Sequence, residues 1–141
     1  MNRTSGEREH TRRINSTGVV YFLSMNQSYT GGCHCGAVRY TVNMELKELM
    51  SCNCSICSKG GWLLAFVPAS QFTLESGQDA LTDYQFGKKQ LHHLFCKHCG
   101  VRSFSRGAGP DGQEMIAVNA RCLDNTDLSG LSVTEFNGKD L

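Results

Sequence analysis

Seven of the eight cysteines in this chain fall into three tight clusters: Cys33-His34-Cys35, Cys52-Asn53-Cys54-Ser55-Ile56-Cys57 and Cys96-Lys97-His98-Cys99. Cys122 stands alone. Disulfide frameworks spread their partners to close loops, whereas tight clusters are poor at that and good at holding a metal. Thiolates are soft ligands that suit zinc or an iron–sulfur cluster, and zinc takes four ligands in a tetrahedron. Seven clustered cysteines divide as four plus three, which leads us to expect two zinc ions per chain. Four thiolates make a closed structural site; three leave a position for water or substrate, as catalytic sites do.

Spacing alone leaves the pairing open. Sixteen residues separate Cys35 from Cys52 and 60 separate it from Cys96, so Cys33 and Cys35 can join either neighbour. The triplet has enough ligands to hold a metal by itself, which favours joining Cys33 and Cys35 to Cys96 and Cys99. The competing readings are a set of buried reduced thiols and a dithiol switch at Cys54 and Cys57. The thioredoxin form of that switch needs a βαβ context that this chain lacks.

Other residues are candidates for supporting chemistry. His93 alternates with Leu91 and Phe95, so it faces the core or a cleft, and it is the first choice for moving a proton. His34 and His98 sit inside cysteine pairs that already supply enough sulfur, and read as outer groups rather than ligands. His92 and His10 carry no signal. Lys59, Lys97, Arg102 and Arg106 lie near the clusters and are candidate partners for a substrate carboxylate, against the plain reading of solvated surface cations. Cys122, Trp62 and Phe66 read as packing residues.

The elements that must position these groups have period two. Val38, Tyr40 and Val42 alternate with polar residues, as do Phe72 with Leu74, Leu91 with His93 and Phe95, Ile116 with Val118, and Leu131 with Val133. Trp62 to Val67 is a continuous apolar run closed by Pro68, the pattern of a strand buried on both faces. Gly31-Gly32, Gly60-Gly61, Ser76-Gly77, Pro110-Asp111-Gly112 and Asn137-Gly138 mark turns. Gly36 and Gly100 follow two of the cysteine pairs and permit the backbone reversal that turns two sulfurs toward one point. Only Leu46, Leu49 and Met50 have helical spacing. The expected fold is a small, mainly β domain with cysteine-bearing loops.

At 141 residues the chain is one ordinary domain. Fourteen basic and 13 acidic residues give a net charge of +1, so nothing global steers it to nucleic acid or to an acidic membrane. No apolar run is long enough to span a bilayer. Residues 1–24 differ from the rest: Arg3, Arg8, Arg12 and Arg13 against Glu7 and Glu9 leave this stretch at +2 and the remainder at −1. We read 1–24 as a disordered N-terminal extension, with Met25 a possible start, and 25–141 as the zinc-binding domain. Val19 to Leu23 is shorter than a secretory core. Seven metal-binding thiols must stay reduced, so the expected compartment is the cytoplasm.

Three ordered motifs carry a resemblance. Gly31-Gly32-Cys33-His34-Cys35-Gly36-Ala37-Val38-Arg39-Tyr40, the Cys-Asn-Cys-Ser-Ile-Cys at 52–57, and Phe95-Cys96-Lys97-His98-Cys99-Gly100-Val101 resemble the glutathione-dependent formaldehyde-activating enzyme family, which includes centromere protein V. Leu81 to Gly87 and Val118 to Asp124 are similar to the centromere protein V branch. The resemblance implies an Mss4-like zinc-containing β fold. It implies that Cys33, Cys35, Cys96 and Cys99 hold a structural zinc, and that Cys52, Cys54 and Cys57 hold a catalytic zinc with an open position. It also implies carbon–sulfur lyase chemistry, joining glutathione or another small thiol to formaldehyde or a related aldehyde. The alternative is a non-catalytic zinc-binding interaction module like centromere protein V.

Overall fold

A computed structural model of the chain describes residues 12–14, 20–22 and 26–141. The order of elements is β1 (Arg12–Ile14), β2 (Val20–Phe22), β3 (Gln27–Gly32), β4 (Arg39–Met44), β5 (Glu48–Cys52), α1 (Cys57–Gly60), β6 (Leu64–Pro68), β7 (Phe72–Ser76), β8 (Leu81–Tyr84), β9 (Leu91–Cys96), β10 (Phe104–Ala108), β11 (Glu114–Asn119) and β12 (Ser132–Phe136). The mainly β expectation therefore holds. β1 and β2 pair with each other as an antiparallel ribbon; the rest of the stretch expected to be a disordered extension, His10 included, lies outside the described residues.

Two further sheets make the body. One is three-stranded, in the order β3-β4-β7. The other is seven-stranded, in the order β12-β5-β6-β11-β10-β9-β8, and is antiparallel except where β12 pairs in parallel with β5. Strand alternation gives the larger sheet two different faces. Ala65, Val67, Leu94, Phe104, Ile116 and Val118 turn to one side and join Val38, Tyr40 and Val42 in the core. The rings of Tyr40, Phe72 and Phe104 meet there at centroid distances of 4.7 to 6.0 Å. Phe104 has no exposed surface, so truncating it to Ala is expected to cost about 3–5 kcal/mol.

The other face carries Phe66, Ala117, Ser105 and His93, which stand side by side in register across β6, β11, β10 and β9. This corrects two expectations. Phe66 is 48% exposed and not a core residue, so the second face of β6 is buried at Leu64 and open at Phe66. Leu46, Leu49 and Met50 form no helix; Leu49 and Met50 lie in β5, where Leu49 faces the core and Met50 the opposite side.

Candidate metal centre

The first and third cysteine clusters are built as similar backbone turns. Cys33 N–H donates to the Val38 carbonyl at 3.1 Å, and Cys96 N–H to the Val101 carbonyl at 3.0 Å. Gly36 and Gly100 take φ of 83° and 78°, the left-handed region that glycine enters without steric cost. The turns meet because β3 and β9 end at the same edge of the core. The Sγ atoms of Cys33, Cys35, Cys96 and Cys99 all lie within 4.8 Å of one another, and two separations, Cys33–Cys35 and Cys35–Cys96, are 3.6 Å. A zinc–sulfur distance of about 2.3 Å gives a tetrahedral edge of roughly 3.8 Å, whereas a disulfide would need about 2.05 Å. The donor set thus fits a four-thiolate metal.

Cys33 and Cys96 are buried, Cys99 is half-buried and Cys35 is exposed. The N–H of Val101 pulls the Cys99 thiol down to about 6. Burial would push the Cys33 thiol up, but the Val38 N–H and neighbouring thiols outweigh it and hold it below the ordinary value. Cys35, sharing charge with three other sulfurs, is pushed up to about 11 despite the lowering N–H of Ala37.

The middle cluster is local. Cys52 ends β5, Cys57 begins α1, and the Sγ atoms of Cys52, Cys54 and Cys57 also lie within 4.8 Å of one another. Amide groups point at the sulfurs: Cys54 N–H donates to Cys52 Sγ and Cys57 N–H to Cys54 Sγ, both at 3.4 Å. Burial would push Cys54 up, but donation from the Cys57 N–H, the neighbouring thiols and the Ile56 N–H outweighs it and lowers Cys54, while burial and the charge of Cys54 push Cys57 up to about 12.

A clasp holds this loop. Asn53 N–H donates to the Phe136 carbonyl, its Nδ2 donates to Asn137 Oδ1 at 2.9 Å, and its Oδ1 accepts from Lys139 N–H at 3.0 Å. Gly138 packs so closely that a Cβ there would stand 2.6 Å from Cys52 Sγ.

Unlike the four-cysteine group, this one borders a cavity of about 650 Å³. His93 and Arg102 are on its wall. His93 is only 5% exposed and neither ring nitrogen has a partner; burial and then the nearby Arg102 charge lower its pKa. Arg102 is 7% exposed, its guanidinium lies 3.7 Å over the Trp62 ring, and its Nε and Nη1 have no acceptor. Burial brings it down to about 10, partly offset by Cys57 and Cys54.

The remaining candidates separate. Lys59, Lys97, His34 and His98 are exposed. Arg106 borders the cavity but pairs with Glu114 at 3.4 Å, and His92 hydrogen-bonds Asp83 at 2.6 Å. Cys122 joins neither group: β11 ends at Asn119, and Cys122 falls in the following turn, with its Sγ 3.9 Å from the Arg102 carbonyl. Arg102 was one of four cations near the clusters in sequence; its burial was invisible there. Asn53 and Gly138 gave no chemical signal beyond their positions in a cluster and a turn.

Fold and site together define a small β protein with two all-cysteine sites suited to metal, one joining the ends of β3 and β9 and one beside a cavity. The chain belongs to the glutathione-dependent formaldehyde-activating enzyme family, whose model matches residues 28–136. It is also similar to a crystal structure of a Rhodobacter sphaeroides protein, with 30% sequence identity and a TM-score of 0.65 over 74% of this chain and 99% of that one. Among the described residues, no helix is long and apolar enough to cross a membrane.

Proposed function

We propose that the protein is a zinc-dependent carbon–sulfur lyase that joins a thiol such as glutathione to formaldehyde or a related small aldehyde, and reverses the reaction. Cys33, Cys35, Cys96 and Cys99 would hold a structural zinc, and Cys52, Cys54 and Cys57 the reacting one. The observation that carries this reading is that the three-cysteine group borders the cavity. Zinc held there would supply a Lewis acid able to favour thiolate over thiol or to polarise a carbonyl.

The chain's own residues do the rest. The cavity walls bring thiol and aldehyde together, so positioning contributes to the rate. In adduct formation a carbon–sulfur bond forms, the carbon–oxygen π bond breaks, and the thiol proton ends on oxygen. His93 is neutral near pH 7, with one ring nitrogen able to accept that proton and the other to donate. Arg102 supplies a fixed positive charge on the wall of the cavity that the three cysteines border. Thiols that must stay reduced to hold a metal favour a cytoplasmic setting.

The test is to load purified protein with zinc and follow the S-hydroxymethyl adduct of glutathione by NMR at equilibrium exchange. Faster exchange than in buffer is expected. With cobalt in place of zinc, glutathione should change the metal's visible spectrum. Neither effect appearing would leave the chain as a non-catalytic zinc-binding module.

A further inference from the structure

The cavity beside Cys52 has a chemistry that glutathione and formaldehyde do not use. Glutathione is polar along its whole length, with two carboxylates, an amine and two amides; formaldehyde is one carbon. The cavity wall is built instead from Leu64, Phe66, Phe86, Leu91, Met115 and Phe136. Four of these, Phe66, Phe86, Leu91 and Phe136, are each at least 40% exposed, and they are among the few large apolar side chains left uncovered on the described residues. Concentrating exposed apolar surface on one concavity marks a binding site for an apolar body. The volume of about 650 Å³ lies within the ordinary range for small-molecule sites.

Against this wall stand two polar side chains, each more than nine-tenths buried and short of partners. Arg102 keeps Nε and Nη1 without an acceptor, and His93 keeps both ring nitrogens without one. A buried guanidinium left unpaired is costly, and a carboxylate is the group that best completes it. Arg102 cannot turn freely to find another acceptor, because its guanidinium is stacked on Trp62. Arg102 lines the same cavity as Cys52, Cys54 and Cys57. A carboxylate on Arg102 therefore shares that cavity with any atom reacting at the three-cysteine group.

We propose that the site takes an apolar molecule whose reacting sulfur lies next to a carboxylate: an α-mercapto acid with a hydrocarbon tail, or its aldehyde adduct. The carboxylate pairs with Arg102, the sulfur faces Cys52, Cys54 and Cys57, and the tail lies along Leu64, Phe66, Leu91 and Met115. The inference rests on the lyase reading for the ligand's sulfur and goes beyond it for the carboxylate and the tail.

Trp62, the single tryptophan of the chain, reports on Arg102 directly through its fluorescence. Zinc-loaded protein is titrated with α-mercaptooctanoate, with its primary amide, which keeps the tail and loses the charge, and with mercaptoacetate, which keeps the charge and loses the tail. The acid is expected to bind roughly tenfold or more tightly than either. Arg102→Gln, checked for zinc content and fold by circular dichroism, should erase the acid-over-amide preference and keep the tail preference. Phe66→Ser should do the reverse. Equal binding of acid and amide to the unmodified protein overturns the proposal, whatever the variants do. Glutathione exchange without any preference for the octanoate also overturns it and leaves the lyase reading intact. Selective binding of the octanoate without carbon–sulfur bond formation sinks the lyase reading and upholds the carboxylate and tail sites of this one.

Discussion

The two cysteine groups use the same ligand atoms and differ in what surrounds them. The four-cysteine group draws its ligands from turns more than 60 residues apart in sequence and ties the end of β3 to the end of β9, with Cys96 wholly buried. The three-cysteine group takes its ligands from six consecutive residues, bridges nothing distant through its sulfurs, and faces a cavity. A metal at the first site would close a long loop and contribute to the folding free energy; a metal at the second would leave the fold nearly as it was. On the proposed reading, position in the topology, not ligand type, separates a structural thiolate site from a reactive one.

The largest effect is expected from Cys96→Ala. It removes a fully buried ligand and the tie between two sheets, and the loss should exceed about 5 kcal/mol, enough to unfold most domains of this size. Thermal melts read it directly. Cys54→Ala should sharpen the contrast: a folded chain, a melting temperature within a few degrees of the parent, one zinc fewer by elemental analysis and no adduct exchange. Equal destabilisation by both substitutions would erase the distinction between the groups.

Gly138→Ala probes the boundary between them. The added methyl would stand 2.6 Å from Cys52 Sγ and 3.2 Å from Cys54 Cβ, so the strap after β12 or the cysteine loop must move. We expect a stability loss of about 1–2 kcal/mol and weaker zinc binding at the second site only. Competition with a chromophoric chelator would show two unequal sites; an unchanged second site would mean the strap yields freely.

The smallest effect lies near the four-cysteine group. Arg39 forms a two-pronged ion pair with Asp124, which also accepts from Thr30 Oγ1 at 2.7 Å. Donation by Arg39, with a contribution from Thr30, holds the Asp124 carboxyl below its usual value. A lowered folded-state pKa means that this pair stabilises the fold above the unfolded value of about 3.9, and that the contribution is lost as pH falls through the folded value. Both side chains are about one-third exposed, so Asp124→Asn should cost only about 0.5–1 kcal/mol at pH 7, and less as pH falls through the folded-state value. Denaturant melts at pH 7 and at lower pH check the sign.

Legibility in the sequence followed the range of the interaction. The strands with clear alternation, β4, β9 and β11, were readable because one face of each meets the core. Leu46, Leu49 and Met50 misled because β5 has just one wholly buried position, Leu49, too little to show period two. Phe66 misled because an apolar run reads the same whether it faces a core or an apolar cavity. The cysteine groups were legible in composition and spacing, but Arg102 was not: an arginine stacked on Trp62, 40 residues away, looks like any surface cation. The Asn53 clasp spans more than 80 residues and joins polar side chains that carry no periodic signal.

The parallel pairing of β12 with β5 has a consequence in the order of synthesis. Chains emerge N-terminus first. All four cysteines of the sheet-bridging group are present once Cys99 has emerged, and the core strands β10 and β11 follow soon after. The Cys52–Cys57 loop is made earlier than Cys99, yet its partners Phe136, Asn137, Gly138 and Lys139 arrive some 80 residues later. A growing chain therefore passes through an interval in which one metal site can close while the other lacks a wall. A chain cut before β12 would stay in that state: folded around its four-cysteine group, with Cys52, Cys54 and Cys57 open to solvent on the side the strap now covers.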